Sequence, residues 1–426
     1  MIHNLLNRFP ALQSQDFRKL FYNYVLSSAA RWAEMLGRGW LIFEITGSTG
    51  AVGIVTFCGM VPSLLFGPIG GALADRFDRR LMAMWSAGFG VLFSALLGIL
   101  AISGHVVMWH VVVLSILQGT AFAAVTPASE ALIPSLVPRE HLLNAISFRG
   151  IARHGSKVIG PLLGGVLIVE RSDGSGWVFI LTAVFLILSI SQLHRISWRN
   201  PSIRSVTQQS NFDVFSPIAE AARYVVQDRR ILMILFLIGG HCGFTMAYDS
   251  LLPGLATEVG GGSSTFAAIT VAVGIGALLG TLGVSMISNE YYRGPFLIFS
   301  GLGSGIALLM LGFTNGPIFS VVAGFIAGCT QAPFMALSAT FVQEIVPDEF
   351  RGRVMAFYLM IAAGFMALMN LGFGFVADSS GERLMLIIPS AFWLLLFVLG
   401  AFAYKPLNFL LRRGVFLANS ETISEN

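Results

Sequence analysis

Charged residues are scarce in this sequence. Asp, Glu, Lys and Arg make up 11% of its 426 residues, whereas an average soluble domain carries about 25%. Hydrophobic residues make up 55%. This deficit excludes an ordinary soluble protein and predicts an all-α membrane protein. The few basic residues flank apolar runs, so the net charge of +4 gives no indication of a nucleic-acid partner.

Cysteine is scarce as well. Cys58, Cys242 and Cys329 stand far apart in apolar runs, and no CxxC spacing occurs. They indicate packing residues rather than a disulfide or a metal site. The seven histidines form no HxxxH or HExxH pair, and no phosphate loop or nucleophile elbow occurs. We therefore expect no metal, no cofactor and no enzymatic activity.

Long apolar runs are abundant, and each is close to the roughly 20 residues that cross a bilayer. They predict twelve transmembrane helices in two six-helix bundles, over residues 20–43, 51–74, 81–103, 107–132, 145–169, 177–196, 231–256, 266–287, 296–313, 318–342, 354–377 and 384–404.

The longest hydrophilic interval divides these runs into two sets. We expect an N-terminal bundle over 1–196 with a short N-tail, a linker over 197–230, a C-terminal bundle over 231–405 and a tail over 406–426. Within the linker, the apolar spacing over 213–228 predicts a short helix. Such a helix either lies on the inner membrane surface or packs on the bundle.

Basic residues orient the predicted helices. The N-tail and every second loop after it hold nineteen Lys and Arg residues, whereas the opposite set holds only Arg171 and Arg383. Because basic residues accumulate in cytoplasmic loops, both termini are expected in the cytoplasm.

A short internal repeat supports the division into halves. Val137-Pro138-Arg139-Glu140 precedes the fifth predicted span, and Val346-Pro347-Asp348-Glu349 precedes the eleventh. Two six-helix repeats of the same topology are an arrangement found in transporters.

The charged hinge between the second and third spans carries a family resemblance. Its residues, Gly71-Ala-Leu-Ala-Asp75-Arg76-Phe-Asp-Arg79-Arg80, are similar to the loop signature of the major facilitator superfamily, which usually has Gly where Asp78 stands. Gly160-Pro161-Leu-Leu-Gly164-Gly165 resembles the GPxxGG motif of antiporter-type exporters. Gln118-Gly119 resembles part of a further motif, which normally carries Arg where Ser115 stands.

The resemblance covers nearly the whole chain and extends to a subgroup. Thr126-Pro127-Ala128, Asn144-Ala145 and Arg351-Gly352-Arg353 are similar to the drug and siderophore efflux subgroup that contains the bacterial enterobactin exporter. It implies a gating latch built from Gly71, Asp75, Arg76, Arg79, Arg80 and Glu130. In that latch Asp75 would dock on the N-terminus of the eleventh helix, and Arg79 would bridge Asp75 to Glu130. A plain anchor of basic residues is the alternative.

Ionisable residues inside the first span are candidates for chemistry, because hydrocarbon penalises them. Arg31, Glu34 and Arg38 are spaced by three and four residues, which places them on one helix face. Glu34 is interpreted as a proton or cation site whose affinity the two arginines control. An ion-pair ladder that neutralises itself is the alternative.

The fifth span carries Arg149, Arg153 and Lys157 at intervals of four. Arg149 is expected to reach the inner surface, while the deeper Lys157 is expected to face a substrate cavity. This basic stripe suits an anionic or polar substrate. Pairing with Glu34 or Glu130 is the alternative. In the same span Gly160, Pro161 and Gly164 predict a helix bend and close helix packing.

In the C-terminal half, Asp249 is the clearest acid of the seventh span, and His241 lies deeper. His241 could titrate near neutral pH, or it could be a hydrogen-bonded packing residue. Both are candidate cavity residues. Methionines and phenylalanines of this half could line a plastic cavity or fill the bundle core.

Together these features predict a secondary transporter in the bacterial inner membrane. We expect proton-coupled export of a small organic molecule by a monomer that works by alternating access. An uptake symporter of the same fold is one alternative, coupled to protons or sodium. A non-transporting membrane sensor or assembly protein is another.

Overall fold

A computed structural model describes residues 10–130, 132–197, 215–287, 289–403 and 405–413. The chain divides into two compact units between Val214 and Phe215. This division falls within the interval that the sequence marks as a linker.

The N-terminal unit contains six long helices. They are α1 (Gln15–Thr46), α2 (Thr49–Arg76), α3 (Arg79–Ile102), α4 (Met108–Glu130), α5 (Leu142–Glu170) and α6 (Gly174–His194), with short turns of helix at Pro10–Gln13, Ile133–Leu136 and Arg139–His141. Helix α1 packs along α5 and α6, α2 along α4, and α3 along α4 and α6.

The C-terminal unit repeats this pattern of packing. Its helices are α7 (Phe215–Gln227), α8 (Arg229–Thr245), α9 (Leu252–Glu258), α10 (Gly262–Ser285), α11 (Arg293–Gly312), α12 (Pro317–Ile345), α13 (Asp348–Ser380), α14 (Glu382–Ala403) and α15 (Lys405–Arg413). Helix α8 packs on α13 and α14, α10 on α12, and α11 on α12 and α14. Each pairing has its counterpart at the equivalent position of the first unit.

Eight helices of the described chain are long and apolar enough to cross a membrane: α2, α3, α6, α10, α11, α12, α13 and α14. Helices α1, α4, α5 and α8 coincide with the other four predicted spans, but their apolar stretches are shorter or contain more polar residues. In α1 and α5 the ionisable candidates themselves interrupt the apolar run. The twelve-span count stays a prediction.

The charged hinge is much shorter than the sequence suggests. Helix α2 continues to Arg76 and α3 begins at Arg79, so only Phe77 and Asp78 separate them. The Asp78 carboxylate accepts hydrogen bonds from the backbone N–H groups of Arg80 at 2.8 Å and Leu81 at 3.1 Å. Asp78 is therefore the N-cap of α3, which explains how this turn forms without glycine at that position.

The seventh predicted span is not one continuous helix. Helix α8 ends at Thr245, the backbone turns over residues 246–251, and α9 begins at Leu252. Pro253 lies in the first turn of α9. A proline lacks a backbone N–H, and its ring would clash with the carbonyl of residue 249 if α8 continued through it. Hydropathy alone does not reveal this interruption, because the residues around it remain mostly apolar.

The helix predicted in the linker forms as α7 and packs on its own unit. Val225 is buried in the C-terminal core. Tyr224 stacks on Phe350 with ring centres 4.8 Å apart, and Glu220 pairs with Arg353 at 3.1 Å. These contacts favour the packed alternative over a helix that lies on the membrane surface.

Helices α1 and α5 cross at Gly160. A Cβ atom at this position would lie 2.4 Å from the Ala29 carbonyl oxygen and 2.9 Å from the Ala33 nitrogen. Only glycine permits so close an approach of the two backbones. Pro161 follows inside α5, which remains helical, and Gly164 faces Leu36 one turn further along.

We predict that Gly160→Ala destabilises the N-terminal unit by about 1–3 kcal/mol, because the added methyl group overpacks the crossing. Thermal unfolding of the purified protein in detergent measures this. Gly155→Ala is the matched control, since a Cβ atom at Gly155 meets nothing within 4 Å on the same helix. Equal stability of the two variants would contradict the prediction.

Candidate functional site

Glu34 lies inside the N-terminal unit, where its side chain is 7% exposed. Gln118 of α4 donates an Nε2 hydrogen bond to Glu34 Oε2 at 2.7 Å. The same amide nitrogen donates to Ser94 Oγ of α3 at 3.2 Å. Three helices of the unit therefore meet at one carboxyl group, and the amide is oriented by two acceptors.

Arg38 supplies the positive charge beside this carboxylate. Its Nη1 atom lies 3.3 Å from Glu34 Oε1 and donates to Ser115 Oγ of α4 at 3.4 Å. The two residues stand one helical turn apart on α1, as the spacing of four predicts. Ser115 occupies the position at which the related motif carries arginine, so this guanidinium reaches that place from another helix.

Two glycines make room for the arrangement. A Cβ atom at Gly59 of α2 would lie 2.9 Å from both terminal nitrogens of Arg38, so the guanidinium occupies the space that a larger residue would fill. A Cβ atom at Gly119 of α4 would lie 2.4 Å from the Gly59 carbonyl oxygen. The Gln118-Gly119 pair thus has two separate roles, since Gln118 holds Glu34 and Gly119 brings α4 against α2.

Arg31 and Arg153 lie next to this cluster but are exposed. Arg31 is within electrostatic range of Glu34, Arg38 and Arg153. Its guanidinium carbon lies 5.2 Å from the centre of the Phe122 ring. The structure therefore gathers four of the predicted residues into one neighbourhood. The buried pair is Glu34 with Arg38, while the other two arginines are accessible.

Lys157 approaches an aromatic ring of the first helix. Its Nζ atom lies 4.8 Å from the centre of the Trp32 ring, a distance typical of a cation–π contact. Arg149 lies within electrostatic range of Tyr24 and Arg153. The cations of α5 therefore lie near aromatic residues of α1, with Lys157 against Trp32 and Arg149 near Tyr24.

His241 lies in the interior of the C-terminal unit and is fully buried. Its Nε2 atom is 3.1 Å from Ser304 Oγ, and its ring stacks on Phe334 with centres 4.0 Å apart. Trp393 meets it edge-on at 5.3 Å. Nδ1 has no hydrogen-bond partner among the described residues. This environment favours the packing alternative for His241.

Asp249 lies apart from His241, in the interruption between α8 and α9, and is half-buried. The freed backbone groups are bonded by side chains of other helices. Gln331 Nε2 donates to the Thr245 carbonyl at 2.6 Å, and Asn370 Oδ1 accepts from the Ser250 N–H at 3.0 Å. These bonds satisfy polar groups that would otherwise be unpaired in hydrocarbon.

The proposed latch is only partly described. Arg80 donates from Nη1 to the Ile196 carbonyl, and Arg79 occupies the first turn of α3. The side chains of Asp75, Arg76 and Glu130, and the surroundings of Gly71, lie outside the part of the chain whose contacts the structure describes.

The sequence predicts Glu34 but not most of the groups that hold it. It indicates Gln118 only through a motif and gives no indication of Ser94, Ser115 or Gly59. Intervals of three and four residues reveal neighbours on one helix, whereas these partners come from three other helices. The one signal in the sequence is the absence of the motif arginine at Ser115, because that absence leaves space for a cation from another helix.

This arrangement can hold one positive charge in two ways. A carboxylate buried inside a helical bundle must be neutralised, and either a guanidinium or a proton can do so. Arg38 has a second acceptor in Ser115, so it retains a hydrogen bond when Glu34 is protonated. The site therefore has the groups that proton exchange requires.

Comparison with known proteins shows the family to which the chain belongs. The family described as transmembrane secretion effector matches residues 7–408. The staphyloferrin A transporter of Staphylococcus aureus is 26% identical over 369 residues, which cover 85% of this chain and 89% of the relative. The multidrug efflux pump Tap of Mycolicibacterium fortuitum is 28% identical, with the same two coverages.

A third relative, the enterobactin exporter EntS of Citrobacter koseri, is 26% identical over 73% of each chain. Among solved structures, a bacterial homologue of the human lysosomal transporter Spinster superposes with a TM-score of 0.72 at 14% identity and covers 94% of this chain and 98% of its own. The nucleoside transporter NupG (D323A mutant) gives 0.71 at 14% identity, with 92% and 100% covered. These likenesses show the fold. The chain therefore belongs to the transmembrane secretion effector family of the major facilitator superfamily and is an integral membrane transporter of the efflux type, not an enzyme.

Proposed function

We propose that this protein exports a small organic molecule in exchange for protons, by alternating access, and that Glu34 is the proton-binding group. The observation that carries the proposal is a carboxyl group buried in a membrane helix and held by one guanidinium and one amide. Relatives named as a siderophore transporter, a siderophore exporter and a multidrug efflux pump support the class of function. The excess of basic residues in alternate loops supports cytoplasmic termini.

The coupling step follows from charge balance. In the ionised state Arg38 neutralises Glu34 across 3.3 Å. A proton that binds Glu34 neutralises the carboxylate and releases the guanidinium, which keeps its bond to Ser115. The cluster then carries a net charge of +1 instead of zero. This charge favours a conformation of the transporter in which the cluster has different surroundings. Loss of the proton on the other side of the membrane restores the pair.

Substrate recognition is assigned to the accessible cations beside this pair. Arg31 and Arg153 are exposed, and the rings of Phe122 and Trp32 lie against Arg31 and Lys157. Cations next to aromatic faces suit a molecule that combines an anionic or polar group with an unsaturated one. His241 and Asp249 remain proposed cavity residues, with weaker support for the buried His241.

The first prediction for transport concerns proton coupling. Glu34→Gln should abolish export driven by a pH gradient, because the amide keeps the shape of the side chain but cannot exchange a proton. Inverted vesicles with an imposed pH gradient and a panel of siderophores and drugs measure the flux and its direction. Gradient-independent exchange of labelled substrate should survive, since the cluster still packs.

Glu44→Gln is the matched control, because Glu44 lies on the same helix, is exposed and makes its described bond to Ser175. We expect it to export as the natural protein does. Undiminished gradient-driven export by Glu34→Gln would contradict the assignment, and flux in the uptake direction would favour a symporter.

The second prediction moves a charge between helices. Arg38→Ser should strongly impair export, since removing one partner of a buried pair costs about 3–5 kcal/mol. Ser115→Arg alone should also impair export by crowding two cations together. The double variant should recover much of the activity. Ser115 lies beside the Arg38 guanidinium, so an arginine at position 115 can place its own guanidinium in the space that Arg38→Ser vacates.

Export rates of the four proteins, normalised to the amount of folded protein, measure this cycle. A double variant as impaired as the worse single variant would contradict the view that one guanidinium beside Glu34 is required wherever it originates. Full activity of Arg38→Ser would contradict it as well.

The third prediction concerns the latch, which we propose on the resemblance of Gly71, Asp75, Arg76, Arg79 and Arg80. Asp75→Asn should slow export and favour inward-open forms. Asp78→Asn removes the same charge three residues away but keeps a good N-cap for α3, so it should export normally. Turnover numbers in vesicles compare the two. Equal turnover would remove the special role of Asp75.

A further inference from the structure

Three sulfur atoms meet inside the C-terminal unit. Cys242 Sγ of α8 lies 3.4 Å from Met335 Sδ of α12 and 3.9 Å from Met246 Sδ, one turn further along its own chain. Cys242 is 2% exposed, and the two methionines are half-buried. We propose that these residues form a binding site for a soft monovalent metal ion, Cu(I) or Ag(I).

The separations fit such an ion. Metal–sulfur bonds of about 2.3 Å in a trigonal plane place neighbouring sulfur atoms about 4 Å apart. The Cys242–Met246 separation of 3.9 Å matches that value, and the Cys242–Met335 separation of 3.4 Å can widen because methionine side chains adjust through three rotatable bonds. A site of this size therefore needs small side-chain movements and no change in the helices.

Ligand chemistry selects the metal. Thiolate and thioether sulfur prefer Cu(I) and other soft ions, whereas oxygen and imidazole ligands suit harder ones. The net charge of the occupied site also favours a monovalent ion. Binding breaks the Cys242 S–H bond and forms a metal–sulfur bond, and the proton passes to water. A monovalent ion on one thiolate and two thioethers has no net charge, whereas a divalent ion would leave a positive charge among apolar residues.

The shell around the sulfur atoms holds Met335 in place. Tyr358 of α13 donates from its hydroxyl to the Met335 carbonyl at 3.0 Å, and the same hydroxyl lies 4.0 Å from Met335 Sδ. Ser338 Oγ lies 2.9 Å from that hydroxyl. Since α8 and α12 each supply a ligand, a bound ion would join α8, the helix that precedes the interruption, to α12.

The two thioethers are more accessible than the thiol. Met246 is the first residue beyond α8, where the backbone turns away towards α9. The half-buried thioethers can bind the ion before the buried thiol does. This inference is independent of proton coupling at Glu34, which lies in the other unit, so the two can fail separately.

The test uses the purified full chain in detergent, titrated anaerobically with Cu(I) against a colorimetric Cu(I) chelator. We expect one Cu(I) per chain, an X-ray absorption shell of sulfur alone and a raised unfolding temperature. Cys242→Ser should remove the bound ion, and Met335→Leu and Met246→Leu should each weaken binding at least about tenfold, in line with the cost of disturbing a metal's ligand sphere.

The other two cysteines give matched controls. Cys58→Ser and Cys329→Ser each remove one thiol elsewhere in the chain, and both should bind Cu(I) as the natural protein does. Unchanged binding by Cys242→Ser would overturn the proposal. So would a metal shell that contains nitrogen, or loss of the ion from Cys242→Ser without any effect of either methionine variant, since that would show a simple thiol adduct.

Discussion

A carboxyl group buried among packed helices has to be neutralised, and the residues around Glu34 meet that requirement. Glu34 receives Arg38 from its own helix and Gln118 from α4, while Ser94 and Ser115 orient these two donors. Gly59 and Gly119 let α2 and α4 come close enough for this. If Glu34 were apolar, the buried arginine and the buried amide would lose their common partner.

The close helix crossings depend on glycines that let two backbones approach each other. Gly160 lets α5 approach α1 beside Trp32, which places Lys157 against that ring. The absence of a side chain at Gly160 therefore brings the cations of α5 next to α1. The α2–α4 crossing at Gly59 and Gly119 has its equivalent in the C-terminal unit, where Gly276 and Gly328 make similarly close contacts between α10 and α12.

The helices can be predicted from the sequence because hydropathy reports burial in lipid directly. The ion pair of Glu34 and Arg38 can be predicted because it depends on the period of a single helix. The hydrogen bonds from Gln118 to Glu34 and from Gln331 to Thr245 cannot, since they depend on which helices pack and at what height. The interruption at residues 246–251 cannot be predicted from the sequence for a related reason. Pro253 is visible, but the side chains that stabilise the break come from α12 and α13.

The central claim is that Glu34 binds and releases a proton. Infrared difference spectroscopy of the purified protein, taken between neutral and acidic pH, tests this without any substrate. We predict a protonated-carboxyl band that appears on acidification and is missing from the spectrum of Glu34→Gln. Identical difference spectra for the two proteins would contradict it.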